Sequence, residues 1–190
     1  MSTLVIVCRA VSLLAFVGPM LLGVGQHRGE PKTRTSQRGG RAPVVANFAA
    51  FGMFLPSLVV FSGSANSLKA LLLALLGSLL AVAGAALVLR SRAELGRAWS
   101  FVPNAGQETG LVTTGPYRVI RHPIYVGLAL LAMGEALAFG SWPAVFIVLS
   151  GIVPTFAWRA RAEEALLSRT FGQAYARYQT QSKMIIPYLF

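Results

Sequence analysis

The chain contains no aspartate, one cysteine and two histidines in 190 residues, and its acidic side chains are six glutamates. These shortages exclude whole classes of chemistry. A metal centre gathers three or four nitrogen, sulfur or carboxylate ligands in one place, and so few candidate donors argue against one. A Ser-His-Asp triad and a Walker-type nucleotide site are disfavoured for the same reason. Cys8 lies inside an apolar run, so there is no disulfide framework and a thiol nucleophile is not expected. Charge is scarce as well, at 12% of residues against 55% apolar, and the mean hydropathy is +0.62. This is the composition of a membrane protein.

The charge that is present is basic, with a net value of +11. In a soluble chain that excess would suggest nucleic acid. Here the basic residues fall in loops between long apolar runs, where they act as topology signals and contacts to anionic membrane lipids. Nucleic acid is therefore not an expected partner. The preference for Arg over Lys, with abundant Ala and Gly, points to a GC-rich bacterial source.

Five apolar runs are long enough to predict spans: residues 4–25, 43–62, 68–89, 123–139 and 143–158. The first contains Arg9, which is expected to snorkel to the outer interface, and lacks the basic region and cleavage site of a signal peptide. The third carries Gly77, Ala81, Gly84 and Ala85, small residues that suit close helix packing. Glu135, near the outer end of the fourth span, is also expected to snorkel. Residues 26–41 form a basic loop and residues 90–121 a long polar connection. The expected fold is all-α, a polytopic membrane protein with about five transmembrane helices and a C-terminal cytoplasmic amphipathic helix. Residues 1–92 would form an N-terminal unit, and residues 93–190 the functional region. With the N-terminus outside, 15 of the 17 basic residues lie on the inner side, all but Arg9 and Lys69.

The stretch from Gly115 to Gly127 gathers Tyr117, Arg118, Arg121, His122 and Tyr125 between Pro116 and Pro123. Each proline biases its predecessor away from helix, and Pro123 suits the first turn of a new one. An imidazole and two guanidiniums then stand near a helix N-terminus, which favours an anionic group. Anchoring at lipid headgroups is the alternative.

A second signal lies downstream. Leu167, Phe171, Tyr175 and Tyr178 recur at spacings of four, four and three, marking one face of a helix over residues 159–179. Extending that face backward reaches Glu163 and Arg159, whereas Glu164 and Arg161 are expected to turn away. An exposed i, i+4 ion pair would account for Arg159 and Glu163, as would a cavity shared with His122 and Tyr125. The shared cavity is the expectation taken forward, because the hairpin keeps the fourth and fifth spans adjacent.

Arg121-His122-Pro123-Ile124-Tyr125 and Gly127, then a hydrophobic hairpin, then Glu163-Glu164, Phe171-Gly172 and Tyr175 together resemble the isoprenylcysteine carboxyl methyltransferase family. Phospholipid N-methyltransferases belong to the same wider group. The resemblance covers residues 95–187. It implies an S-adenosylmethionine site facing the cytoplasm and a lipophilic acceptor reaching it from the bilayer. Carried over by position, Thr109, Gly110, Leu111, Val112, Tyr117, His122, Pro123, Ile124, Tyr125 and Glu163 would line the cofactor site. Arg159 would face the acceptor, with Arg161 able to exchange roles with it, and Arg159 and Glu163 would be the catalytic pair. An acceptor carboxylate needs no base, whereas an amine or hydroxyl would call on Glu163 or His122. Two other classes compete: an NADPH-dependent sterol or enone reductase, and a lipid-binding membrane protein without enzymatic activity. The chain is short for the first and shows no second nucleotide-binding segment.

Overall fold

The computed structural model describes residues 1–25, 42–96 and 110–185; the basic loop 26–41 and Thr109 lie outside them. Most of the described residues are helical, and among the described residues the one β-bridge is an isolated parallel pair, Ile120 with Lys183. Helix α1 runs Ser2–Gly25, α2 Ala42–Val60, α3 Leu68–Leu95 and α4 Pro123–Ala138. Helix α5 runs Trp142–Phe171 and α6 Gln173–Gln181. A one-turn 3₁₀ helix, Gly115–Arg118, precedes α4.

Three of these, α2, α3 and α5, are long and apolar enough to cross a membrane, and Ser2–Gly18 and α4 are shorter apolar helices. Two boundaries differ from expectation. Helix α3 continues to Leu95, so Arg90, Arg92 and Glu94 ride on a helix rather than in a loop. Helix α5 does not stop at residue 158. It continues to Phe171, and the chain turns only at Gly172, whose φ of 50° is in the left-handed region that glycine tolerates. Pro154 does not break α5, and a π-helical stretch, Val148–Ile152, lies just before it.

The tightest packing joins α3 to α4, through the small residues the sequence singles out. A Cβ on Gly77 would come within 2.5 Å of the Gly134 carbonyl oxygen, and one on Gly84 within 2.6 Å of that of Gly127. Ala81 lies between them, fully buried. Backbones in such contact gain dispersion that the bilayer cannot match. Helix α2 packs instead on α5, where Phe51, Phe54 and Phe156 meet.

Glu135 does not snorkel, and Arg9 reaches the end of the bundle by binding protein carbonyls. The Arg9 guanidinium turns into the protein and donates to the carbonyls of Gly63 at 2.8 Å and Ala138 at 3.0 Å. It closes the C-terminal end of α4, whose last carbonyls lack helical partners. Glu135 is fully buried, with Ser12 of α1 donating to it at 3.2 Å. Both lie near helix ends, where an interface position is the simple expectation. Each instead has a partner on a neighbouring element, which the pattern of one helix does not reveal.

Candidate active site

At the opposite end of the bundle from Arg9, the N-terminus of α4 meets the second half of α5. His122 is the residue before Pro123, and the ring of that proline opens α4 without needing a backbone N–H. Tyr125 follows one turn later. On α5, Phe156, Arg159 and Glu163 succeed one another at three and four residues, so they share a face. The Tyr125 ring lies between the His122 imidazole, stacked at 5.6 Å, and the Phe156 ring, stacked at 5.2 Å. The Arg159 guanidinium sits 5.5 Å from the Tyr125 ring centroid.

Glu163 is the hub of this face. The Tyr125 hydroxyl donates to its Oε1 in a short hydrogen bond. Arg159 Nε lies 3.6 Å from the same oxygen, and His122 Nδ1 lies 3.5 Å from Oε2. The fold thus brings His122, Tyr125, Arg159 and Glu163 together.

Glu164 departs from expectation. It does not turn away: Arg121 Nε donates to its Oε1 at 2.6 Å, and His122 Nε2 lies 3.6 Å from that oxygen. The imidazole is clasped between two consecutive carboxylates. A residue step of about 100° on a helix lets neighbours straddle a group lying across it, so both glutamates can face α4.

Burial opposes charge on His122, but hydrogen bonding to Glu163 and Glu164 and their negative charges outweigh it and raise its pKa above the ordinary 6.5. The Tyr117 phenol is pushed up first by burial, then by the nearby charges of Tyr178, Glu163 and Glu94. Its carbonyl accepts from the Tyr178 hydroxyl at 2.6 Å.

The segment after α6 completes the frame. Arg121 N–H donates to Lys183 O at 2.7 Å and His122 N–H to Met184 O at 3.1 Å. Arg121 Nη1 also donates to the carbonyls of Gln179, at 3.3 Å, and Ser182. Residues 119–122 are thus held between α5 and this strand-like segment. Arg121, expected at the α4 N-terminus as one of two guanidiniums favouring an anion, is bound to Glu164 instead; Glu164, Phe156 and Ser182 are not among the site residues expected from the sequence.

Of the other expected residues, Pro123 is buried at the first turn of α4 and Ile124 is half-buried. Gly110 is exposed with a φ of 70°, and Leu111 and Val112 are half-buried in the coil leading to the 3₁₀ helix. Arg161 is exposed, whereas Arg159 is in the cluster.

The sequence profile of the phospholipid methyltransferase family matches residues 72–174, more than half of the chain and all of the cluster around Glu163. The chain belongs to that family. Within it, the resemblance to isoprenylcysteine carboxyl methyltransferases is borne out by relatives of that name. The protein-S-isoprenylcysteine O-methyltransferase of Schizosaccharomyces pombe is 34% identical over 77 residues, 40% of this chain and 33% of that one. Its Saccharomyces cerevisiae counterpart is 29% identical over 136 residues, 70% of this chain and 56% of that one. The nickel-cobalt-cadmium resistance protein NccN of Alcaligenes xylosoxydans xylosoxydans is 38% identical over 93 residues, 45% of this chain and 41% of that one. The chain thus spans between a third and just over half of the length of these relatives.

Proposed function

We propose that the protein is an integral-membrane methyltransferase that takes its methyl group from S-adenosylmethionine and delivers it to a lipophilic acceptor. The acceptor class favoured is a carboxylate, as in an isoprenoid or prenylcysteine-like molecule. The observation that carries this reading is the meeting of His122 and Tyr125 with Arg159 and Glu163 where α4 and α5 come together.

The donor set suits the cofactor. The buried His122 imidazole has a carboxylate on each side, with Nδ1 3.5 Å from Glu163 and Nε2 3.6 Å from Glu164, both beyond ordinary hydrogen-bond length, so the site offers a donor and acceptors that a bound molecule can engage. His122 and Glu163 would hold the amino-acid or adenosine groups, with Gly110, Leu111, Val112, Tyr117, Pro123, Ile124 and Tyr125 around them, and Thr109 outside the described residues. When bound, S-adenosylmethionine supplies an electrophilic methyl group. The chain's contribution is placement: holding two reactants in line is worth several powers of ten in rate. Arg159, braced by Glu163 and the Tyr125 ring, orients the acceptor head. A carboxylate acceptor arrives already nucleophilic, and the cluster is built for that. Arg121 and Arg159 stand beside the carboxylates, and their guanidiniums suit an anionic acceptor better than an ammonium.

The membrane arrangement proposed is five crossings with the N-terminus outside and the site at the cytoplasmic face of a bacterial inner membrane. Its support is the placement of 15 of 17 basic residues on that side.

The test is methyl transfer from labelled S-adenosylmethionine into organic-extractable acceptors by the purified protein in lipid. Farnesylcysteine derivatives with a free carboxylate are compared with phosphatidylethanolamine. Base-labile label in the first arm, abolished by Arg159→Ala, supports the proposal. Label confined to the amine arm overturns the carboxylate reading, and label in neither arm overturns both for these acceptors.

A further inference from the structure

Helix α3 is longer than a membrane requires. Its 28 residues rise about 42 Å, against a hydrocarbon core of about 30 Å. The excess is at the C-terminal end, where Arg90, Ser91, Arg92 and Glu94 follow the last apolar turn and Gly96 closes the helix.

Glu94 is the acid of that overhang, and it touches the turn that leads into the site. The Thr114 hydroxyl donates to its Oε2 at 2.8 Å. Gly115 lies directly against the carboxylate: a Cβ there would fall 2.6 Å from Glu94 Cδ, and its φ of 57° is already one that glycine tolerates best. Thr114 is the residue before the 3₁₀ helix Gly115–Arg118, and its carbonyl accepts from Tyr117 N–H at 3.1 Å. Tyr117 is in turn held from the far side by the Tyr178 hydroxyl. The turn carrying Tyr117 is therefore pinned by α3 on one side and α6 on the other. Neither pin belongs to the cluster around Glu163.

We infer that Glu94 is a positioning residue, which through Thr114 and Gly115 sets the 112–118 turn, and with it Tyr117, for cofactor binding. The inference rests on the proposed function. Both Glu94 and Thr114 are exposed, so the contact is formed at the surface, where a bound molecule can reach the turn it fixes.

The experiment measures equilibrium binding of S-adenosylmethionine and steady-state kinetics for the full chain in detergent. Glu94→Ala is expected to weaken cofactor binding about tenfold, the scale of one hydrogen bond to a charged group. Turnover at saturating cofactor and the KM for the acceptor stay within about twofold. Glu94→Gln keeps an acceptor oxygen and recovers most of the loss. Thr114→Val, at an exposed side chain that folding tolerates, shifts binding in the same direction, and the double variant is no worse than the more affected single one. A purely structural role would lower the melting temperature without a selective change in cofactor KM, and would overturn the inference. Unchanged binding in Glu94→Ala and Thr114→Val, with a wild-type protein that binds, overturns it while leaving the proposed function standing. A wild-type protein that binds no S-adenosylmethionine overturns both.

Discussion

At Glu163 one carboxylate serves a phenol, an imidazole and a guanidinium, and the two oxygens divide them. Removing its charge leaves Arg159 and His122 without their shared counter-ion. Glu163→Gln is therefore expected to weaken cofactor binding at least about tenfold, read by equilibrium dialysis; binding within about twofold of wild type would count against the hub. His122 yields a prediction with a sign. Its folded pKa lies above 6.5, because the two glutamates outweigh the opposing effect of burial. The stability this contributes is present in full below the unfolded value and is lost as pH rises through the folded one. The melting temperature gap between wild type and His122→Asn should narrow as pH rises above the ordinary histidine value of 6.5. A gap that widens contradicts the assignment. The sequence made His122, Tyr125, Arg159 and Glu163 legible because motif and helical spacing pointed at each of them. It hid Glu164, because a face defined by apolar spacing leaves no place for the residue beside it.

Helices α3 and α4 show how much of the packing was readable. The small residues at 77, 81 and 84 announce a close contact, but not which helix fills it. Gly134 on α4 supplies the answer, since a Cβ there would come within 2.6 Å of Ala81 N. Gly134→Ala is expected to destabilise the fold by about 1–3 kcal/mol, while Gly52→Ala, with open space around it, changes little. Denaturant titration in detergent compares them, and equal effects would refute the packing account. Arg9 and Glu135 show the complementary limit. Their places in single helices suggest interfaces, whereas their partners lie on α4, α1 and the turn at Gly63.

Across the molecule, polar chemistry is divided between two ends. Arg9 and Ser141 close one, and the Arg121, His122, Glu163 and Glu164 cluster occupies the other. The long α5 runs from one end to the other, and among the described residues Arg90 and Arg92 of α3 and Arg159 and Arg161 of α5 lie in the helix ends nearest the cluster. A C-terminal reporter that works only in the cytoplasm is expected to be active; activity of a reporter restricted to the outside would reverse the orientation. The central claim is that segments 117–125 and 159–164 enclose one S-adenosylmethionine. Binding of the labelled cofactor to the purified chain tests it most directly. The account predicts saturable binding of one molecule per chain, lost in Glu163→Ala and His122→Ala and indifferent to NADPH. Binding that survives both substitutions, or that NADPH displaces, would contradict it.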